Sequence, residues 1–88
     1  MIEKTLTVTP KLGLHARPAA MFVQATAGFK SSIMVKKEGV EINGKSVMGL
    51  MLLAAECGSK LVIRANGPDE RQAIEALEKL FARRFDED

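Results

Sequence analysis

The sequence predicts an α+β fold, an open-faced sandwich in which three helices cover one face of a four-stranded sheet. Three observations predict it. Hydrophobic periodicity alternates along the chain between strand-like and helix-like spacing, and gives elements in the order β-α-β-β-α-β-α. The segment Leu61-Val62-Ile63-Arg64-Ala65 is a nearly continuous apolar run, suited to the middle of a sheet. Turn signals at Glu38-Gly39, Asn43-Gly44 and Gly58-Ser59 separate short elements, with no repeat, linker or low-complexity stretch between them.

The first strand runs from Ile2 to Val8, with Ile2, Lys4, Leu6 and Val8 on one face and Glu3, Thr5 and Thr7 on the wet one. Thr9 to Gly13 loops into a helix spanning Ala16 to Ala27. Pro18 suits its first turn, where a missing N–H leaves nothing unpaired, and Gly28 is a natural stop. Ala19, Phe22, Val23 and Thr26 lie at core spacing, whereas Ala16, Arg17, Ala20, Met21 and Gln24 form the opposite side. Phe29–Lys37 and Val40–Ile42 read as a hairpin closed by Glu38-Gly39. A second helix is expected over Lys45–Glu56, with Ser46 as N-cap; Leu50, Leu53 and Ala54 form one face, and Val47, Met48 and Met51 another, partly exposed one. After the fourth strand, Asn66-Gly67-Pro68-Asp69-Glu70 starts the last helix, with Pro in the first turn and two acids at the positive pole. That helix carries Ala73, Ile74, Leu77, Leu80 and Phe81 at core spacing, and its exposed side has Arg71–Glu75 and Glu75–Lys79 at i,i+4.

Composition narrows the function. The 88 residues read as a single domain over 1–88, and 47% of them are apolar, enough for one modest core. A net charge of +2 argues against nucleic acid, and with no Trp, no Tyr and only four Phe there is little for bases to stack on. The lone Cys57 excludes an internal disulfide. Together with a single histidine it argues against a metal site, and it is expected to be a small buried or half-buried residue. No cofactor motif is present. No stretch approaches the roughly 20 apolar residues that span a bilayer, and no h-region opens the chain. A cytoplasmic protein without membrane insertion is the expectation. A monomer is expected too, because no strand reads as a long exposed edge.

The chemistry converges on Gly13-Leu14-His15-Ala16-Arg17-Pro18-Ala19. His15, the only histidine, falls at the mouth of the first helix, where the unpaired N–H groups of Ala16 and Arg17 and the helix dipole favour an anion. Arg17 adds a forked cationic donor. Taken alone, a histidine at a helix start is also an ordinary cap or a solvated surface residue. The wider pattern resembles the active-site motif of the HPr family, the histidine phosphocarriers of the bacterial phosphotransferase system. The resemblance runs along essentially the whole chain and includes Lys45-Ser46-Val47-Met48-Gly49.

That resemblance implies an antiparallel sheet with the first and fourth strands adjacent at its centre. It implies that His15 accepts phosphate on Nδ1 from enzyme I, itself charged by phosphoenolpyruvate, and passes it to an EIIA-type protein. Arg17 then holds the phosphate, with the backbone of Ala16 and Arg17, and Pro18 shapes the helix start. Such a carrier needs no cofactor and is not an independent enzyme. Ala20, Met21, Gln24, Val47, Met48 and Met51 are the expected docking residues, although Met21 reads equally as cover for the core edge. Ser46 resembles the family's regulatory site, target of an HPr kinase/phosphorylase, while as a residue it reads equally well as a plain N-cap. Lys11-Leu12-Gly13 and Phe85-Asp86-Glu87-Asp88 are similar to NPr, the nitrogen-branch homologue, so sugar uptake and a nitrogen-branch regulatory phosphorelay both stay open. A reading from another class, a non-catalytic α+β binding module that uses its sheet for RNA, lacks the expected aromatic pair on neighbouring strands.

Overall fold

The computed structural model describes residues 1–87; Asp88, the tip of the acidic ending, lies outside the described residues. Strands β1 (Ile2–Thr7), β2 (Ser32–Lys37), β3 (Val40–Asn43) and β4 (Lys60–Asn66) and helices α1 (Ala16–Ala27), α2 (Val47–Leu52) and α3 (Glu70–Ala82) follow the expected order. All neighbouring strands are antiparallel, in the order β1-β4-β2-β3. Ile2 stands opposite Ala65, and Ser32 opposite Asn66. β1 and β4 are adjacent as expected, but the central pair is β4 and β2, with β1 at an edge. The physical reason lies in composition: β1 carries Lys4, Thr5 and Thr7, which tolerate water, whereas β2 and β4 supply Ile33, Val35, Leu61, Ile63 and Ala65 to the core.

Only one face of the sheet is covered, so burial alternates strictly along β4. Arg64, on the open face, reaches Glu3 at 3.2 Å and Glu41 at 3.6 Å. Under the helices, Phe22 meets Phe81 edge-on, and Phe81 meets Phe85 with ring centroids 4.8 Å apart. The buried Thr26 hydroxyl donates to Gly44 O at 2.9 Å, tying α1 to the turn after β3.

Three local expectations change. The second helix is half as long as its apolar pattern suggested, because Ala54 adopts φ +49°. Ala54 is therefore exposed rather than part of the core face, and residues 53–56 leave the helix. Neither Arg71–Glu75 nor Glu75–Lys79 closes to an ion pair; on α3 it is Glu70 and Glu78 that pair, with the Met1 amino group at 2.9 Å and Lys4 at 3.1 Å. Cys57 is exposed, with its sulfur 3.5 Å from Thr9 O.

At the start of α3, Pro68 precedes the first turn and Asp69 takes the N-cap position without capping through its side chain. Its carboxylate instead accepts hydrogen bonds from Lys30 N at 2.8 Å, Ser31 N at 2.9 Å and the Ser31 hydroxyl. These bonds, the Ser31 hydroxyl first, lower its pKa from 3.8 to about 2. A depressed folded-state pKa stabilises the fold above the unfolded value, and that stability is lost as pH falls through the folded one. Denaturation midpoints are therefore expected to drop between pH 3.8 and about 2. Asp69→Asn should be less stable at neutral pH and show a flatter acid limb, and an unchanged limb would remove Asp69 from the acid response.

Candidate functional site

His15 is placed by the loop before it. Gly13, at φ +75°, brings the backbone against the segment that follows α2, and the Leu14 N–H donates to Ala55 O at 2.9 Å. The Leu14 side chain is buried. Ala55 can offer its carbonyl here because the chain leaves the helix at Ala54, so the shortened α2 and the placement of His15 are one feature.

His15 is the N-cap of α1 in extended conformation, and its side chain makes no capping hydrogen bond. The imidazole is thus free of structural duty. The first N–H drawn into the helix belongs to Ala19, bonded to His15 O at 3.0 Å. Pro18 has no N–H, which leaves the Ala16 and Arg17 N–H groups at the exposed helix mouth. Arg17 is exposed, with no carboxylate within 4.0 Å among the described residues, so its guanidinium is available to an incoming anion.

The two imidazole nitrogens differ. Nε2 is inaccessible to solvent and has no hydrogen-bond partner in good geometry among the described residues, but faces Glu87 Oε2 at 3.5 Å. The side chain as a whole is 36% exposed, and none of that exposure comes from Nε2. The shallow surface around the ring is lined by Leu12, Met51, Ala54 and Glu56. Leu12, Met48, Met51 and Leu52 present exposed apolar side chains.

The expected docking residues do not form one groove. Met51 lies beside His15, whereas Met21 and Gln24 line a separate depression against Lys79, Leu80 and Arg83 of α3. Met21 and Val47 are half-buried and pack on the core, Ala20 is half-buried, and Met48 is 76% exposed. The Ser46 hydroxyl accepts the Gly49 N–H at 3.0 Å, the N-cap role expected of it.

The sequence reading missed Leu12, Leu52 and Glu87. Glu87 had a detectable signal: Phe85 stands four residues after Phe81, a spacing that announces an anchored ending. Phe85 is fully buried, and Arg84, Phe85 and Asp86 all take left-handed backbone at φ 55–57°, so the chain turns back and brings Glu87 to His15.

A family model described as "PTS HPr component phosphorylation site" matches residues 2–83, almost the whole chain. The chain belongs to the HPr family. It is 47% identical to the phosphocarrier protein HPr of Treponema pallidum, over all of both chains. It superposes on a crystal structure of HPr from Thermoanaerobacter tengcongensis with a TM-score of 0.96 at 44% identity, covering 100% of this chain and 99% of the other. A structure of Crh from Bacillus subtilis, described as a dimer with a swapping domain, matches with a TM-score of 0.69 at 44% identity, covering 100% and 98%. As a member of this family, the protein is a phosphocarrier component of the phosphotransferase system and not an independent catalyst. Among the described residues, no helix is long and apolar enough to cross a membrane.

Proposed function

We propose that His15 accepts a phosphoryl group from phospho-enzyme I, charged by phosphoenolpyruvate, and hands it to an EIIA-type protein for sugar uptake. The observation that carries this reading is an imidazole free of capping duty, standing at a helix mouth with two N–H groups and a guanidinium that have no partner among the described residues. Phosphoryl transfer is mostly positioning and charge stabilisation, so a shallow, open surface suffices when the partner supplies the rest. The backbone of Ala16 and Arg17 and the Arg17 side chain take up the charge of about −2 that arrives. Pro18, buried in the first turn, shapes the helix start. The apolar side chains of Leu12 and Met51, which line the surface at the ring, and the exposed Met48 and Leu52 of α2 serve as the docking surface. The protein acts as a monomer in the cytoplasm. Incubation with enzyme I and labelled phosphoenolpyruvate should give acid-labile, alkali-stable labelling. A nitrogen-branch enzyme I that labels the protein faster than the sugar-branch one would reassign the branch.

Ser46 is proposed as a regulatory phosphorylation site for an HPr kinase/phosphorylase. Its neighbours Val47, Met48 and Met51 belong to the apolar side of α2, so a phosphate there charges a surface that otherwise docks by apolar contact. Ser46→Asp should lower the rate of labelling by enzyme I at sub-saturating concentration, and Ser46→Ala should not. Equal rates in both variants would leave Ser46 as an N-cap alone.

A further inference from the structure

We propose that Glu87 is a positioning residue that holds the proton of His15 on Nε2 and so leaves the Nδ1 lone pair to react. The proposal deepens the reading of His15 as phosphoacceptor and rests on it for its catalytic part only.

The surroundings of Nε2 decide which ring nitrogen carries the proton. The atom is sealed from solvent, and among the described residues it faces the carboxylate of Glu87, with Oε2 at 3.5 Å. The Glu87 side chain is only 18% exposed. An Nε2 lone pair held against that carboxylate would be repelled and unhydrated, whereas an Nε2–H is attracted to it. The carboxylate therefore selects the tautomer with hydrogen on Nε2. The distance is that of an ion pair rather than a closed hydrogen bond, and such contacts tighten when the ring becomes charged.

That charging happens during transfer. The Nδ1 lone pair forms the N–P bond as the bond from phosphorus to the donor protein's phosphorylated nitrogen breaks, its electron pair staying with the donor. The Nε2 proton does not move, so the ring becomes cationic and Glu87 offsets the charge. In the onward step the N–P bond breaks, its electron pair returns to Nδ1 and the acceptor takes the phosphoryl group. A ring that keeps its Nε2 proton is the better leaving group, so the same contact serves both directions. Phe85 makes the contact durable: its buried ring, edge-on to Phe81, fixes the turn from which Glu87 projects.

The test uses protein labelled with ¹⁵N in its one histidine, together with Glu87→Ala and Glu87→Gln. In the unmodified protein a proton attached to Nε2 should be visible and slow to exchange. It should be lost to fast exchange in Glu87→Ala and retained in Glu87→Gln, whose amide oxygen can still accept. Transfer from enzyme I should slow about tenfold in Glu87→Ala and by less in Glu87→Gln, which keeps the tautomer without the charge. An Nε2 proton equally protected in all three proteins, or absent from the unmodified one, overturns the proposal. Failure of His15 itself as acceptor would appear differently, as no labelling of the unmodified protein, with the proton result standing on its own.

Discussion

His15→Ala is expected to take up no phosphate from phospho-enzyme I while folding as the parent does. Loss of the imidazole removes the sole nucleophile at the helix mouth, and no other histidine exists in the chain to replace it. Stability should change little, because the side chain is partly exposed and makes no capping bond, and the His15 carbonyl that accepts from Ala19 is retained. Arg17→Ala keeps the nucleophile and the two N–H groups but loses the charged fork. It should still label, at a rate lower by about ten- to a hundredfold. Labelling rates of the three proteins at matched thermal midpoints check both expectations. Full labelling of His15→Ala would remove the histidine from the reaction, and a parental rate in Arg17→Ala would remove the guanidinium.

Gly13→Ala should be the most damaging small substitution near the site. A methyl group at Gly13 would meet Ala55 O at 2.2 Å and Glu56 Cα at 3.0 Å, both backbone atoms that no side-chain rotation can move. The residue also sits at φ +75°, where a side chain is strained. Relief requires the loop to lift off Ala55, which breaks the Leu14 N–H bond to Ala55 O and withdraws buried Leu14. The expected loss is about 2–4 kcal/mol in urea unfolding. Transfer should slow as well, since His15 is next in line after Leu14. Gly39 provides the control: it has a comparable φ of +85° and nothing within 4 Å, so Gly39→Ala should lose only about 1–2 kcal/mol. Equal losses at the two glycines would show that contact with Ala55 does not hold the loop.

Much of this arrangement is legible in the chain. The strand and helix order follows from apolar spacing, and the strict alternation of β4 follows from a sheet covered on one side only. His15, Arg17 and Pro18 announce the helix mouth because each residue type has few other reasons to stand there together. What sequence periodicity misjudged is tertiary. An apolar pattern continues through Leu53 and Ala54, yet the helix ends at Leu52 and Ala54 turns left-handed, so that Ala55 can bond the His15 loop. Asp69 looked like an ordinary helix-start acid, but its carboxylate serves the Lys30–Ser31 backbone some forty positions earlier in the chain. The partnership of His15 with Glu87 depends on a left-handed turn at three non-glycine residues, a conformation that no local propensity favours.

The central claim, that phosphate rides on His15 and on the nitrogen facing away from Glu87, is tested most directly by NMR of the phosphorylated protein with ¹⁵N-labelled histidine. One-bond coupling between phosphorus and Nδ1 is the result expected from the solvent-sealed Nε2. Coupling to Nε2 would contradict the geometry around Glu87, and phosphate attached to any residue other than histidine would contradict the account as a whole.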